Sequence, residues 1–302
     1  MTAPLESQPL LGIGLALVSA LVLSVGNLLQ ARGVAETADR PGASGLGGRA
    51  LGLLRDRPWL LGALLLGAAI VLQMGSLAFA PLIVVQPVGV SALVFTVALT
   101  AVVGGRRPSR AELRAIAVCV VGVAAFVTVA ALVSTQHTIG AEELIAVLVV
   151  LAFVLLANAV LLVAGRSRPV PPVLFVLLGG VYSAFVATLG KTVILRVQTA
   201  LQLHWFAVDA TNLLTIGCIV GIGVAGALSI AFVQRAHAGN RPEVVVAGLT
   251  VIDPTVAVVL GITILGEASG APLWAFAAFV AAGGVAVAGV FVLSRAARAG
   301  TA

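Results

Sequence analysis

The chain has 302 residues, 61% of them hydrophobic and only 9% charged, with a mean hydropathy of +1.19. A soluble domain carries about a quarter charged residues, and many apolar runs here exceed the roughly 20 residues that cross a hydrocarbon layer about 30 Å thick, so an ordinary soluble domain is excluded. The net charge of +6 does not make a nucleic-acid binder either, because the cations stand in short clusters between apolar runs and form no basic face.

Taken in chain order, the apolar runs predict an all-α integral membrane protein of about nine transmembrane helices. They fall near 10–31, 58–79, 82–104, 111–133, 142–165, 173–197, 210–233, 243–266 and 271–294. No cation precedes the first span and Arg32 follows it, which suits an uncleaved helix with its N-terminus outside rather than a signal peptide. The connection 34–57, rich in Gly and Arg, reads as a flexible cytoplasmic loop. Cys119 and Cys218 fall inside apolar runs and read as free thiols used as small core residues.

The cations alternate across the membrane. Arg32, Arg40, Arg49, Arg55 and Arg57 follow span one; Arg106, Arg107, Arg110 and Arg114 follow span three. Arg166 and Arg168, then Arg235 and Arg241, and finally Arg295 and Arg298 continue the series, which makes 5 + 4 + 2 + 2 + 2 = 15. The opposite set holds only Arg196, and Lys191 lies within a span. The positive-inside rule then places the N-terminus outside and the C-terminus in the cytoplasm. Cysteines placed at Gly45 and Thr301 should accordingly meet only membrane-permeant reagents, and one at Ser7 should be labelled from outside. Sixteen arginines against one lysine, with abundant Ala, Gly and Val, point to a GC-rich genome and a bacterial plasma membrane.

The two halves echo each other. Ser19-Ala20, Gly26-Asn27 and Arg32 recur as Ser183-Ala184, Gly190-Lys191 and Arg196, all at an offset of 164. Gln73 stands eight residues before Pro81, as Gln234 does before Pro242. This predicts a 4+1+4 inverted repeat: spans one to four in 1–133, a connector span in 134–171, and spans six to nine in 172–302. Inverted repeats are the recurrent architecture of secondary transporters, with substrate held near the midplane.

These residues resemble the drug/metabolite transporter superfamily. Ile252-Asp253-Pro254 followed by Leu265-Gly266-Glu267 is similar to the end of the EamA-type signature. Gly26-Asn27-Leu28-Leu29-Gln30-Ala31-Arg32-Gly33 and Phe79-Ala80-Pro81-Leu82-Ile83-Val84-Val85-Gln86-Pro87-Val88-Gly89 resemble the NIPA-type magnesium transporters. The resemblance implies a nine-span transporter fold and, for the NIPA branch, magnesium as cargo. Two positions depart from that pattern: Arg106 stands where the first repeat ends in an acid, and Ala247-Gly248 where the second has Thr-Pro.

No catalytic motif is present, so an enzyme is not expected. His137, His204 and His237 fall in predicted loops, and Gly221-Ile222-Gly223-Val224-Ala225-Gly226 reads as helix packing inside a span. Lys191 and Asp253 are the ionisable residues deep within spans, where a lone charge faces a cavity or a partner. Lys191 stands about 9 Å from its span's centre, within reach of Asp253 by a long side chain. Pro254 has no amide and frees the carbonyl of Thr250; Pro87, after Gln86, frees that of Ile83. Asn27, Gln73, Tyr182 and Ser183 add intramembrane polar groups. The predicted substrate-binding set is Lys191, Asp253, Asn27, Gln73, Gln86, Tyr182, Ser183 and Thr250.

The leading expectation is a secondary transporter for a small polar organic solute, working by alternating access. In it Lys191 attracts a carboxylate or phosphate, and Asp253 binds an amine or carries a coupling proton. The alternatives are a magnesium or divalent-cation transporter, with Asp253 as metal ligand, and a flippase for a lipid-linked sugar or a non-transporting membrane partner of an envelope enzyme. No cofactor is expected beyond a coupling proton or cation, and the expected partners are the small-molecule substrate and the lipid bilayer.

Overall fold

The computed structural model describes residues 8–38, 56–103, 105, 109–164, 171–203, 210–240 and 242–299. Its helices are α1 (Pro9–Ala38), α2 (Arg57–Phe79), α3 (Leu82–Gly89), α4 (Ser91–Val103), α5 (Arg110–Val133), α6 (Ala141–Ala164), α7 (Pro172–Leu203), α8 (Ala210–Gly239), α9 (Pro242–Thr263) and α10 (Leu273–Ala299). Among the described residues nine segments are long and apolar enough to span a membrane, with α3 and α4 together forming one. Lipid cannot satisfy free backbone groups, and a helix satisfies them within itself. The chain is thus an all-helical, multi-pass membrane protein.

Helix starts follow local chemistry. Asp56 caps α2, its carboxylate accepting from the Trp59 amide at 3.0 Å. Ser109 and Glu112 form a capping box on α5. Three details depart from the sequence reading. α7 runs on to Leu203 and α8 to Gly239, which puts His237 on a helix, its Nδ1 2.8 Å from the Val233 carbonyl. α9 stops at Thr263 and the chain turns at Gly266, where φ is +63°, a conformation suited to glycine. α9 also runs unbroken through Pro254, while the third span breaks after Pro87, where the Val90 amide turns back to the Pro87 carbonyl.

α1 packs along α2, α7 along α8, and α5 along α10. α1 also meets α3 and α4, α7 meets α9, and α3 touches both α5 and α9; α6 lies against α8 and α7. The Gln8 amide donates to the Phe79 carbonyl at 2.9 Å, and the Thr135 amide to the Glu267 carbonyl at 2.9 Å. One end of the bundle therefore gathers Gln8, the α2–α3 turn, the α5–α6 loop and the α9–α10 loop. α10 leaves that end, so the described chain begins and finishes at opposite ends. The labelling positions Ser7, Gly45 and Thr301 lie outside the described residues, as do Arg106 and His204.

Small residues permit the closest helix contacts. A Cβ on Gly122 would stand 2.3 Å from the Ala286 amide nitrogen, and one on Gly289 would stand 2.5 Å from that of Cys119. Backbone cannot yield as a side chain does, so Gly122→Ala or Gly289→Ala should force α5 and α10 apart. The expected loss is about 1–3 kcal/mol, read as a lower unfolding midpoint in detergent. Gly284→Ala, with nothing within 4 Å of the added atom, should leave that midpoint unchanged.

Candidate functional site

Proline shapes the first polar cluster. Pro81 has no amide, so the Leu77 carbonyl at the end of α2 loses its helical donor. Residues before proline favour extended backbone, and Ala80 adopts it at φ −135° and ψ 153°. The Lys191 ammonium on α7 fills the gap: it donates to the Leu77 carbonyl at 2.8 Å, to the Ala80 carbonyl, and to Gln136 Oε1 at 3.3 Å. Glu267 Oε1 lies 3.7 Å from the same nitrogen.

Glu267 belongs to the same cluster through a helix N-terminus. Its carboxylate accepts from the Leu82 amide at 2.7 Å and the Ile83 amide at 2.9 Å, the first two residues of α3. Negative charge is favoured there because those amides have no helical acceptor. Burial pushes the Glu267 carboxyl up from its ordinary range, against the pull of Lys191 and both amides. Gln136 Nε2 also donates to the Ala78 carbonyl at 3.3 Å.

An ammonium has three protons, and those of Lys191 go to Leu77, Ala80 and Gln136. The residue is fully buried, with Glu267 2% and Gln136 4% exposed. Lys191 is therefore paired with Glu267 and not, as its span position suggested, with Asp253. Eight residues of α7 separate Lys191 from the residue that holds Asp253, about 12 Å along the helix axis.

That residue is Ser183. Its hydroxyl donates to Asp253 Oδ2 at 2.6 Å, whereas Oδ1 is buried with no hydrogen-bond partner. α7 and α9 come close here because Gly180 has no side chain; a Cβ would stand 2.7 Å from Ile252 Cγ2. Asp253 lies at the middle of the span Val244–Thr263. Burying a carboxylate oxygen unpaired is costly, so such a group calls for a proton, a cation or a substrate donor.

The other predicted residues scatter. Asn27 is exposed on α1, Gln73 half-buried on α2 and Gln86 buried on α3. Tyr182 is fully buried, its ring stacked 5.8 Å from Phe232, and its hydroxyl has no hydrogen-bond partner. Its polar neighbour on α6 is Asn158, whose Oδ1 is likewise unpartnered. Thr250 turns its hydroxyl back to the Val246 carbonyl at 2.7 Å.

Two cavities lie elsewhere. One of about 420 Å³ runs along the α9 face that carries Thr250, Pro254 and Val258, closed behind by Phe126 and Phe279. It opens outward between Val259 and Val280, which are 51% and 78% exposed. The second, about 640 Å³, separates the starts of α7 and α9 from the end of α10, with Arg295 at its rim. Of the predicted set only Thr250 lines either cavity.

Glu267, Gln136 and Asn158 were missing from the predicted set. Glu267 had a signal, since it ends the Leu265-Gly266-Glu267 motif, but its place outside the spans hid its partner. Asn158 carried the signal used for Asn27 and Gln73, a polar residue inside a predicted span, whereas Gln136 had none. Among the described residues no three His, Cys, Asp or Glu gather as a metal site.

The fold and these clusters define a multi-pass helical membrane protein with a saturated ion-pair cluster at one end and a carboxylate with one unpartnered oxygen at mid-span. No protein-family model, curated protein or solved structure matches the chain.

Proposed function

We propose that the chain is a secondary transporter for a small organic cation, an amine, working by alternating access across a bacterial plasma membrane. The observation that carries this reading is Asp253: mid-span, oriented by Ser183, with Oδ1 buried and unpartnered. A protonated amine supplies the donor and the charge that this oxygen lacks. A proton on the same carboxylate fills its place when the amine is absent. Lys191 is not free to hold an anionic solute, because it spends its donors on Leu77, Ala80 and Gln136.

The helix pairing supports the inverted repeat. α1 on α2 has its counterpart in α7 on α8, and α1 on the third span in α7 on α9. The two last helices of the proposed repeats, α5 and α10, pack on each other. With the N-terminus outside, as the cation count implies, the Glu267 end faces outward. The resemblance to the drug/metabolite transporter superfamily agrees with this architecture.

The test is uptake by proteoliposomes offered primary amines, carboxylates, phosphorylated metabolites and Mg²⁺ separately. Amine uptake alone supports the proposal; uptake of Mg²⁺ or of anions alone refutes it. A bound amine should also raise the unfolding midpoint in detergent, because a ligand that prefers the native state stabilises it. That shift should vanish in Asp253→Asn.

A second reading rests on the apolar cavity that opens outward between Val259 and Val280. Such an opening suits the lipid tail of a lipid-linked sugar, and a flippase would move a fluorescent lipid analogue between leaflets in the same proteoliposomes. Scrambling faster than in protein-free vesicles, without amine uptake, would favour it.

A further inference from the structure

We infer that Lys191 and Glu267 form a latch that holds the Glu267 end of the bundle shut, so that the resting protein opens toward the opposite end. The inference rests on the transporter reading, since a latch matters only where two ends open in turn.

The latch joins elements of both proposed repeats. Lys191 on α7 and Glu267 beyond α9 belong to the second; Leu77, Ala80, Leu82 and Ile83, at the α2–α3 turn, belong to the first. Opening this end by moving one repeat against the other must therefore break these bonds together. Bulk also closes it, for Leu265 and Ala268 are only 5% exposed and Ile139 only 3%. At the opposite end, among the described residues, a cavity of about 640 Å³ parts α7 and α9 from α10.

The repeat does not copy this pair at the equivalent positions of the first half. At the repeat offset of 164, Lys191 corresponds to Asn27, and at 161 Glu267 corresponds to Arg106. Asn27 and Arg106 carry no opposite charges, and Asn27 is exposed where Lys191 is wholly buried. The Lys191–Glu267 pair biases a two-state equilibrium toward closure of its own side.

The experiment uses the full chain with Cys119 and Cys218 replaced by serine and a reporter thiol at Ala187→Cys. Ala187 lies one turn from Ser183 on the same face of α7, toward Lys191. A membrane-impermeant maleimide is applied to right-side-out and to inverted vesicles. With the latch intact, the reporter should react from the end opposite Glu267 only. In the double variant Lys191→Met/Glu267→Gln, which strands neither charge, labelling from the Glu267 end should rise about tenfold, the change that about 1.4 kcal/mol produces.

A folded double variant whose labelling from that end is unchanged overturns the latch. Should the double variant fail to fold, Gln136→Ala in the adjoining loop carries the test. It loosens the cluster without removing a charge, and about a threefold rise is expected there; no rise overturns the latch. Amine uptake by protein with the latch intact is measured separately, so failure of the transporter reading shows there and not in the labelling.

Discussion

Lys191→Met should cost about 3–5 kcal/mol and leave little folded protein in the membrane, because it strands Glu267 as a buried charge without its cation. It also removes the donor that stands in, at the Leu77 carbonyl, for the amide Pro81 lacks, and strips Ala80 of its partner. Glu267→Gln alone should cost less than Lys191→Met. Its side-chain oxygen can still accept from Leu82 or Ile83, but the ammonium loses its counter-charge. The double variant should recover most of the loss, since replacing both partners of a buried pair is far milder than removing one. Unfolding midpoints in detergent and folded yield from membranes would measure all three. Additive losses would show that the two residues act independently, against the 3.7 Å contact between them.

The membrane class and the spans were legible in the sequence because lipid leaves the backbone few choices and demands long apolar runs. Span ends were less legible. α7 and α8 continue beyond their apolar stretches, since a helix goes on into polar surroundings while its backbone bonds hold. Pro254 and Pro87 had looked equivalent, yet α9 accommodates the first and the third span breaks after the second. A lost amide permits a break without requiring one, and neighbouring helices decide which occurs. At the site, position along a span identified Asp253 as a deep carboxylate and the repeat drew attention to Ser183. It misled about Lys191, whose partner lies 76 residues away beyond the end of α9. Contacts between distant loops leave no periodic trace in a sequence, and a long lysine stem can leave its own helix for a neighbour's end. Gln136 illustrates the same gap, as a single polar loop residue whose burial only packing reveals.

Asp253→Asn should behave in the opposite way to Lys191→Met: a folded protein that no longer transports. Asparagine keeps the size of the side chain and an oxygen for the Ser183 hydroxyl. The amide nitrogen inherits the unpartnered place of Oδ1, but a neutral polar group is far less costly to bury than an unpaired charge. The unfolding midpoint should therefore hold steady or rise, as it does where a strained functional residue is relieved. Amine uptake should fall about a hundredfold, because losing one partner of a buried charge pair costs about 2–5 kcal/mol and about 1.4 kcal/mol is a factor of ten. Ser183→Ala removes only the group that orients the carboxylate, so it should weaken uptake by about tenfold, the effect of one hydrogen bond to a charged group. Asp253→Glu retains the charge but overfills the space that Gly180 leaves between α7 and α9, and it should not restore uptake fully. Measured with the same amine in proteoliposomes, this ranking separates charge from geometry. If Asp253→Asn transports as well as the unaltered protein, Asp253 does not hold the substrate. If it fails to fold while Ser183→Ala remains intact, the carboxylate serves the packing of α9 against α7 instead.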